Sequence, residues 1–343
     1  MKDEFLEYYP NRIAKEHKFE KHLKNPKRFH QFCREQYYED EKIGVNRAFA
    51  LQEFHLWKDW IEKGRNIFDF TSNISDLLKE TDILDLDISL IKSPYSTFYI
   101  DLSTAKIPFE ENGNVYVEGA FIRDDIEEEE DWERTISINF VSSEYINNYW
   151  EINKDLCWDS DRGFHSILLF LDRKGNLNTI KDAVEYNKKA FINNGYDDLT
   201  ESRKNELQKI HNQFVDRTIN FIINCLLYLT TREVDLEEEY PINLPLYLKD
   251  KLNKAKTKRK KEIAEMEILR NGFTKIKHVG RRIKSSYISK NSNGEVSTHW
   301  RKGHWRNQKI RKNLSESKLV WIMPTVVNKE KGEPKKGHIY EIK

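Results

Sequence analysis

An α+β fold is predicted for this chain of 343 residues: a helical N-terminal region (1–92), a central α+β domain (93–248) and a basic C-terminal module (249–343). The central domain is expected to hold an antiparallel sheet backed by a long helix, and the C-terminal module a small β-unit. Three observations predict this. Apolar residues recur at three- and four-residue spacing near the N-terminus and again over 203–230. Between Tyr95 and Phe140, β-branched and aromatic residues sit near alternating positions. The last quarter of the chain then turns strongly basic.

In chain order, Phe32 to Trp60 carries a helical stripe that includes Phe49, Leu51, Phe54, Trp57 and Trp60, the spacing of a core face. Asn73 or Ser75 is placed to cap a short helix through Leu77 and Leu78, and Asp82 to Ile91 alternates aliphatics with acids before a turn at Ser93-Pro94. STFYIDLS, NVYVEGAFIRDD and TISINFVS then read as strands, separated by a turn over Glu110 to Asn114 and by the acidic run Asp124 to Asp131, a solvated loop. SILLFLDRKGNL adds a further strand with Lys174-Gly175 as its turn. Over 203–230, Leu207, Ile210, Phe214, Thr218, Phe221, Ile222, Cys225, Leu226 and Leu229 share one helical face, on a helix roughly 40 Å long, enough to back the sheet. His211 on or beside that face is a packed histidine. Glu237 to Pro245 reads as a linker, KAKTKRKKEIAEMEILR as a basic run leading into a helix closed by Asn271-Gly272, and KIKHVGRRIKSSYISKNSNG as a loop or arm.

Charge divides the chain more sharply than its net value of +1 indicates. Lys249 to Lys343 holds 27 Lys and Arg against 9 Asp and Glu; of the totals of 58 and 57, that leaves 31 basic and 48 acidic residues in 1–248. A basic end of this kind is expected to meet an anionic partner, RNA or a ribonucleoprotein, although an acidic body docking on it is the competing reading. The longest apolar stretch, Phe221 to Leu229, is too short to span a bilayer and the N-terminus has no apolar leader, so a cytoplasmic protein without membrane partners is expected. Cys33, Cys157 and Cys225 are widely spaced, with no disulfide framework or cysteine zinc site. No Walker, Rossmann or nucleophile-elbow pattern is present, and neither a metal nor a cofactor is expected.

The densest signal is THWRKGHWR, with His299, Trp300 and Arg301 repeated as His304, Trp305 and Arg306 around Lys302 and Gly303. Arginine pairs with phosphate, tryptophan stacks on bases and histidine donates hydrogen bonds, so these residues are candidates for binding nucleic acid. Two other readings stand beside that one. In the first, Trp300 and Trp305 plug the core of a small β-unit completed by LVWIMPTVV; in the second, His299 and His304 serve as acid and base of a nuclease.

HWRKGHWR, a basic spacer and LVWIMPTVVN together resemble the C-terminal signature of a mobile-element protein family that includes an anti-CRISPR inhibitor of type V-A effector nucleases. STFYIDLS and EGAFIRDD are similar to strand blocks of the same family. The resemblance implies a protein of phages and plasmids that recognises a nascent polypeptide during translation and lowers its mRNA. The partners it implies are the nascent polypeptide, RNA or the ribosome, and a host nuclease. It carries over His299, Arg301, Gly303, His304 and Trp305, with Trp321 and Pro324 from the second block, as family-signature positions, none of them assigned as catalytic. The alternatives are a nuclease using the C-terminal histidines and a DNA- or RNA-binding accessory protein of a phage or plasmid.

Overall fold

The structure, a computed structural model, describes residues 8–16, 18–23, 25, 27, 53–109, 115–126, 132–145, 162–172, 177–191, 200–231, 234–283, 299–310 and 316–327. Its strands in chain order are β1 (Ile67–Phe70), β2 (Thr81–Asp82), β3 (Thr97–Asp101), β4 (Gly119–Ile126), β5 (Trp132–Tyr145), β6 (Arg162–Asp172), β7 (Leu236–Glu239), β8 (Ile276–Val279), β9 (His299–Arg301), β10 (Gly303–Ile310), β11 (Glu316–Ile322) and β12 (Thr325–Val327). Together with the helices they make the expected α+β protein.

The chain forms two units, each built from three separate stretches. The first comprises Met1–Phe70, Tyr95–Arg173 and Leu236–Val279; the second comprises Thr71–Pro94, Lys174–Asp235 and Gly280–Lys343. These interleaved units cut across the three consecutive regions expected from the sequence, and the basic segment 249–343 contributes to both.

In the first unit, a seven-stranded sheet has the order β6-β5-β4-β3-β1-β8-β7. β3 to β6 form the expected antiparallel meander. β1 then joins β3 and β8 in parallel, so the sheet is mixed rather than purely antiparallel. Two readings are corrected here. Ile276–Val279, expected in a loop or arm, is a strand buried at all four positions, and the acid-rich Leu236–Glu239, expected in a linker, pairs with it as the edge strand. Each is four residues long and rich in charge, too short to show a period of two.

Phe121, Tyr99, Ile67 and Ile276 are neighbours across four strands and line one face of the sheet. Tyr9, Ile13, Phe19, Phe54, Trp57 and Trp60 from the N-terminal helices pack onto that row. The Phe54, Trp57 and Trp60 stripe is therefore core, as its spacing requires; Phe49 and Leu51 lie outside the described residues, as do the Glu110 to Asn114 turn and the Lys174-Gly175 turn. Leu244, Leu248 and Ile268 close a smaller cluster between the Leu246–Asn253 and Lys258–Arg270 helices.

In the second unit, the long helix runs Glu201–Leu229, with Thr200 as its N-cap accepting from Arg203 N at 3.4 Å. It is preceded by the Ile180–Ala190 helix, which Thr179 and Asp182 start with a reciprocal capping box. His211 is packed as expected: it stacks on Phe191 with ring centroids 3.8 Å apart and its Nε2 lies 3.2 Å from Asn187 Oδ1. Cys225 is a buried free thiol, and Cys33 and Cys157 lie outside the described residues. The strand order β11-β10-β2 and the β12-β9 ribbon make the small β-unit anticipated around LVWIMPTVV.

Candidate functional site: a carboxylate-floored cavity and a tryptophan clasp

Two residues beyond the apolar row, on the same face of the first unit's sheet, the pattern turns polar. Gly119, Asp101, Asp69 and His278 are cross-strand neighbours on β4, β3, β1 and β8. Since i and i+2 share a face in a strand, the row that continues the helix-covered core is now ionisable. It lies toward the carboxyl ends of three adjacent parallel strands, the end of an α/β sheet where ligands characteristically bind. A cavity of 570 Å³ opens above it, lined by Tyr8, Arg12, Asp69, Asp101, Lys106 and Glu118 among others.

Each lining group is held differently. Asp69 Oδ2 accepts from the Tyr8 hydroxyl at 3.1 Å and lies 2.8 Å from His278 Nδ1, an arrangement that places a proton on Nδ1. Asp101, at the end of β3, is 5% exposed, and its Oδ1 accepts from Ser103 Oγ at 2.6 Å and Ser103 N at 3.2 Å. Burial pushes the Asp101 carboxyl up to about 7; the Ser103 hydrogen bonds oppose the shift, and the negative neighbours Asp69 and Glu118 add to it. Nη2 of Arg12, from the Tyr9–Glu16 helix, donates to both carboxylate oxygens of Glu118 and forms an ion pair with it.

Gly119 makes room for the floor. A Cβ there would fall on the Tyr99 hydroxyl, which occupies the space above the glycine. Tyr99 is fully buried, and its hydroxyl has no hydrogen-bond partner among the described residues. Burial holds this phenol well above its ordinary pKa, with Glu118 and Asp101 reinforcing the shift. A protonatable carboxyl therefore lines the cavity, and an unsatisfied hydroxyl is enclosed beside Gly119 at the end of its floor. Among the described residues, no group of three or more His, Cys, Asp and Glu side chains is placed to hold a metal ion.

The residues singled out by sequence lie elsewhere, in the second unit. β9 pairs with β12, setting Arg301, Trp300 and His299 opposite Thr325, Val326 and Val327. Lys302 is exposed between β9 and β10, and Gly303 opens β10 beside Thr81 of β2. Trp305 is 5% exposed and faces Trp321 of β11, the two rings stacking at 6.1 Å. Its Nε1 donates to Asn224 Oδ1 at 2.7 Å, and Asn224 Nδ2 donates to the Thr81 carbonyl at 2.9 Å. Trp321 Nε1 donates to Thr81 Oγ1 at 3.1 Å, and its ring meets Tyr228 edge-on at 5.3 Å. A Cβ at Gly303 would strike Thr81 and stand 2.8 Å from Pro324, so this glycine is required for close approach. Trp305, Trp321, Gly303 and Pro324 thus form an internal clasp around Thr81. His304 is half-buried, while Lys302 and Arg306 face outward.

Sequence reasoning missed Asp69, Asp101 and His278. A signal was present: IFDF and TFYID each carry one acid in an otherwise apolar run or at its end, and IKHV is a short strand with a histidine. An isolated ionisable group in a buried strand is costly unless it is partnered or used.

A seven-stranded mixed sheet with helices packed on one face, and a polar cavity toward its strand ends, places the protein in the α+β class. The Anti-CRISPR type V subtype A2 family model (AcrVA2-like) matches residues 68–329, and the chain belongs to that family. No curated protein matches in sequence. A solved structure, the crystal structure of AcrVA2, aligns with a TM-score of 0.46 at 16% identity, covering 92% of this chain and 98% of that one. Among the described residues, no helix is long and apolar enough to cross a membrane.

Proposed function

We propose that this protein is an anti-CRISPR inhibitor carried by a phage or plasmid, which recognises the N-terminal segment of a type V-A effector while that polypeptide is being translated in the cytoplasm, and so lowers its mRNA. The observation that carries the reading is the family match over 68–329, a span that contains the whole floor of the cavity. A cleft of 570 Å³ with a few convergent polar groups suits a peptide side chain or terminus. Tyr8 and Arg12 lie outside the matched span, so the part of the cavity they form belongs to this chain's own N-terminal helices. That division supports a common scaffold with an individual choice of peptide.

Exposed cations support the other half of the reading. Lys254 to Lys261 is an exposed basic run that spans the turn after the Leu246–Asn253 helix and the first turn of the Lys258–Arg270 helix, and Leu246 and Tyr247 of the preceding helix are exposed apolar residues. In the second unit, Lys302, Arg306 and Lys309 face outward beside the tryptophan clasp. Such surfaces suit the phosphate backbone of RNA or the ribosome. Message loss then falls to a host nuclease, with this protein as the adaptor.

The test is to co-express the protein with an effector gene in two recoded forms. One keeps the N-terminal peptide and changes its codons; the other shifts the reading frame over the same stretch and restores it afterwards. Loss of mRNA from the first and not the second supports the reading. Equal loss from both means that the nucleotide sequence is recognised, and loss from neither removes the function altogether.

A further inference from the structure

The geometry points to the cavity of the first unit as an acceptor for a positively charged nitrogen group, the guanidinium or ammonium of a basic side chain, seated between Asp69 and Asp101. This rests on the reading of the cavity as the peptide-recognising site and adds the chemistry of what it takes.

The charges around the cavity decide the sign. Arg12 is committed to Glu118 by a two-point contact, and Lys106 is exposed at the rim. The floor is left with two carboxyl groups on adjacent parallel strands, with Asp69 held by Tyr8 and His278. Among the described residues nothing cationic bonds Asp101, which accepts hydrogen bonds from Ser103. A cation between the two acids would relieve their mutual repulsion and supply the counter-charge the floor lacks.

An independent observation is the Tyr99 hydroxyl. It is fully enclosed, has no partner among the described residues and is electrostatically coupled to Asp101, Glu118 and Arg12, which all line the cavity. Enclosed beside Gly119 and outside the cavity lining, it donates to neither Asp101 nor Glu118, so the carboxyl groups of the floor go without that compensation. Tyr8 and Tyr116 line the same space, and aromatic side chains beside a cavity favour a cation in it. An anion would instead meet two carboxyl groups and find Arg12 already engaged.

The acid that titrates makes the binding depend on pH. Facing Asp101 are Asp69 from β1, with His278 from β8 behind it, Glu118 before β4, Arg12 and Tyr8 from the N-terminal segment, and Lys106 from the loop after β3. Its carboxyl sits at about 7, so at pH 6 it is mostly protonated and at pH 8 mostly ionised. A cation binds the ionised form, which makes affinity roughly tenfold greater at pH 8 than at pH 6, with a proton released on binding.

The experiment uses the full chain, with Nα-acetyl-argininamide and its uncharged counterpart Nα-acetyl-citrullinamide as probes, followed by calorimetry from pH 6 to 8. Binding of the arginine probe alone, strengthening roughly tenfold over that range and lost in Asp101→Asn, is expected. Near-UV circular dichroism confirms that the variant is folded. Equal binding of both probes, binding without pH dependence, binding that survives in Asp101→Asn, or no binding at millimolar probe overturns the assignment. If the arginine probe binds as expected and the recoded effector message is not lost, the nascent-peptide reading fails while the cation site stands. If the message is lost and the probe does not bind, the cation site fails alone.

Discussion

Asp101→Asn removes a buried acid while keeping its shape, so its effect on stability should depend on pH in a calculable way. In the fold the carboxyl is pushed up to about 7 from the usual carboxylate value of 3.8. Between those values the native state keeps a proton that the unfolded chain has lost, so wild-type stability falls as pH rises through the window and the loss is complete above it. At about 1.4 kcal/mol per pH unit the full effect is on the order of 4 kcal/mol, of which roughly 2–3 kcal/mol accrues between pH 5 and pH 8.5. Asparagine does not titrate and can still accept from Ser103. Urea unfolding followed by tryptophan fluorescence at fixed ionic strength should therefore show the variant gaining on wild type by roughly 2–3 kcal/mol across that range. A gap that stays constant with pH, or narrows as pH rises, would refute the assignment of a perturbed acid at the floor of the cavity.

Three further outcomes follow from the packing. Trp305→Phe keeps an aromatic six-membered ring but loses the pyrrole half of the indole with its donor to buried Asn224, leaving Oδ1 of that amide unsatisfied; a loss of about 1–3 kcal/mol in urea unfolding is expected. Gly303→Ala drives a methyl into Thr81 and Pro324 and should cost about 1–3 kcal/mol in the same assay, with a wild-type value indicating that β2 and β10 do not approach so closely. Gly119→Ala displaces Tyr99 from beneath the cavity, so thermal unfolding should shift downward by several degrees and the affinity for the arginine probe should fall; an unchanged melting temperature would mean that Tyr99 is not wedged there.

The helices were the most legible part of the sequence, because each carries both a period and a boundary signal. The Glu201–Leu229 helix shows about six turns of apolar spacing from Leu207 to Leu229 behind Thr200, and the Lys258–Arg270 helix ends at the Asn271-Gly272 pair. The meander β3 to β6 was legible as alternation between turn residues. β1 and β8 were not. Ile67–Phe70 follows the Trp57 and Trp60 helix so closely that its apolar residues read as a continuation of the helical spacing, and Ile276–Val279 is half polar. Both are parallel strands, whose pairing joins distant segments and leaves no hairpin signature. The cavity was hidden for the same reason: His278 and Asp69 meet across 209 positions of chain. The HWRKGHWR block stood out in sequence, but its engagements did not. Trp305 finds Asn224 across 81 positions and Trp321 finds Thr81 across 240.

We propose that a nascent effector peptide is recognised through the first unit's cavity. The most direct test is to capture ribosomes through the tagged protein in cells carrying a type V-A system, and to sequence the messages under translation for wild type and for Asp101→Asn. Wild type is expected to enrich the effector message, with occupancy beginning soon after the N-terminal peptide emerges from the ribosome, and the variant is expected to lose this enrichment while remaining folded. Recovery of many unrelated messages by wild type, or undiminished enrichment by the variant, would contradict the proposal.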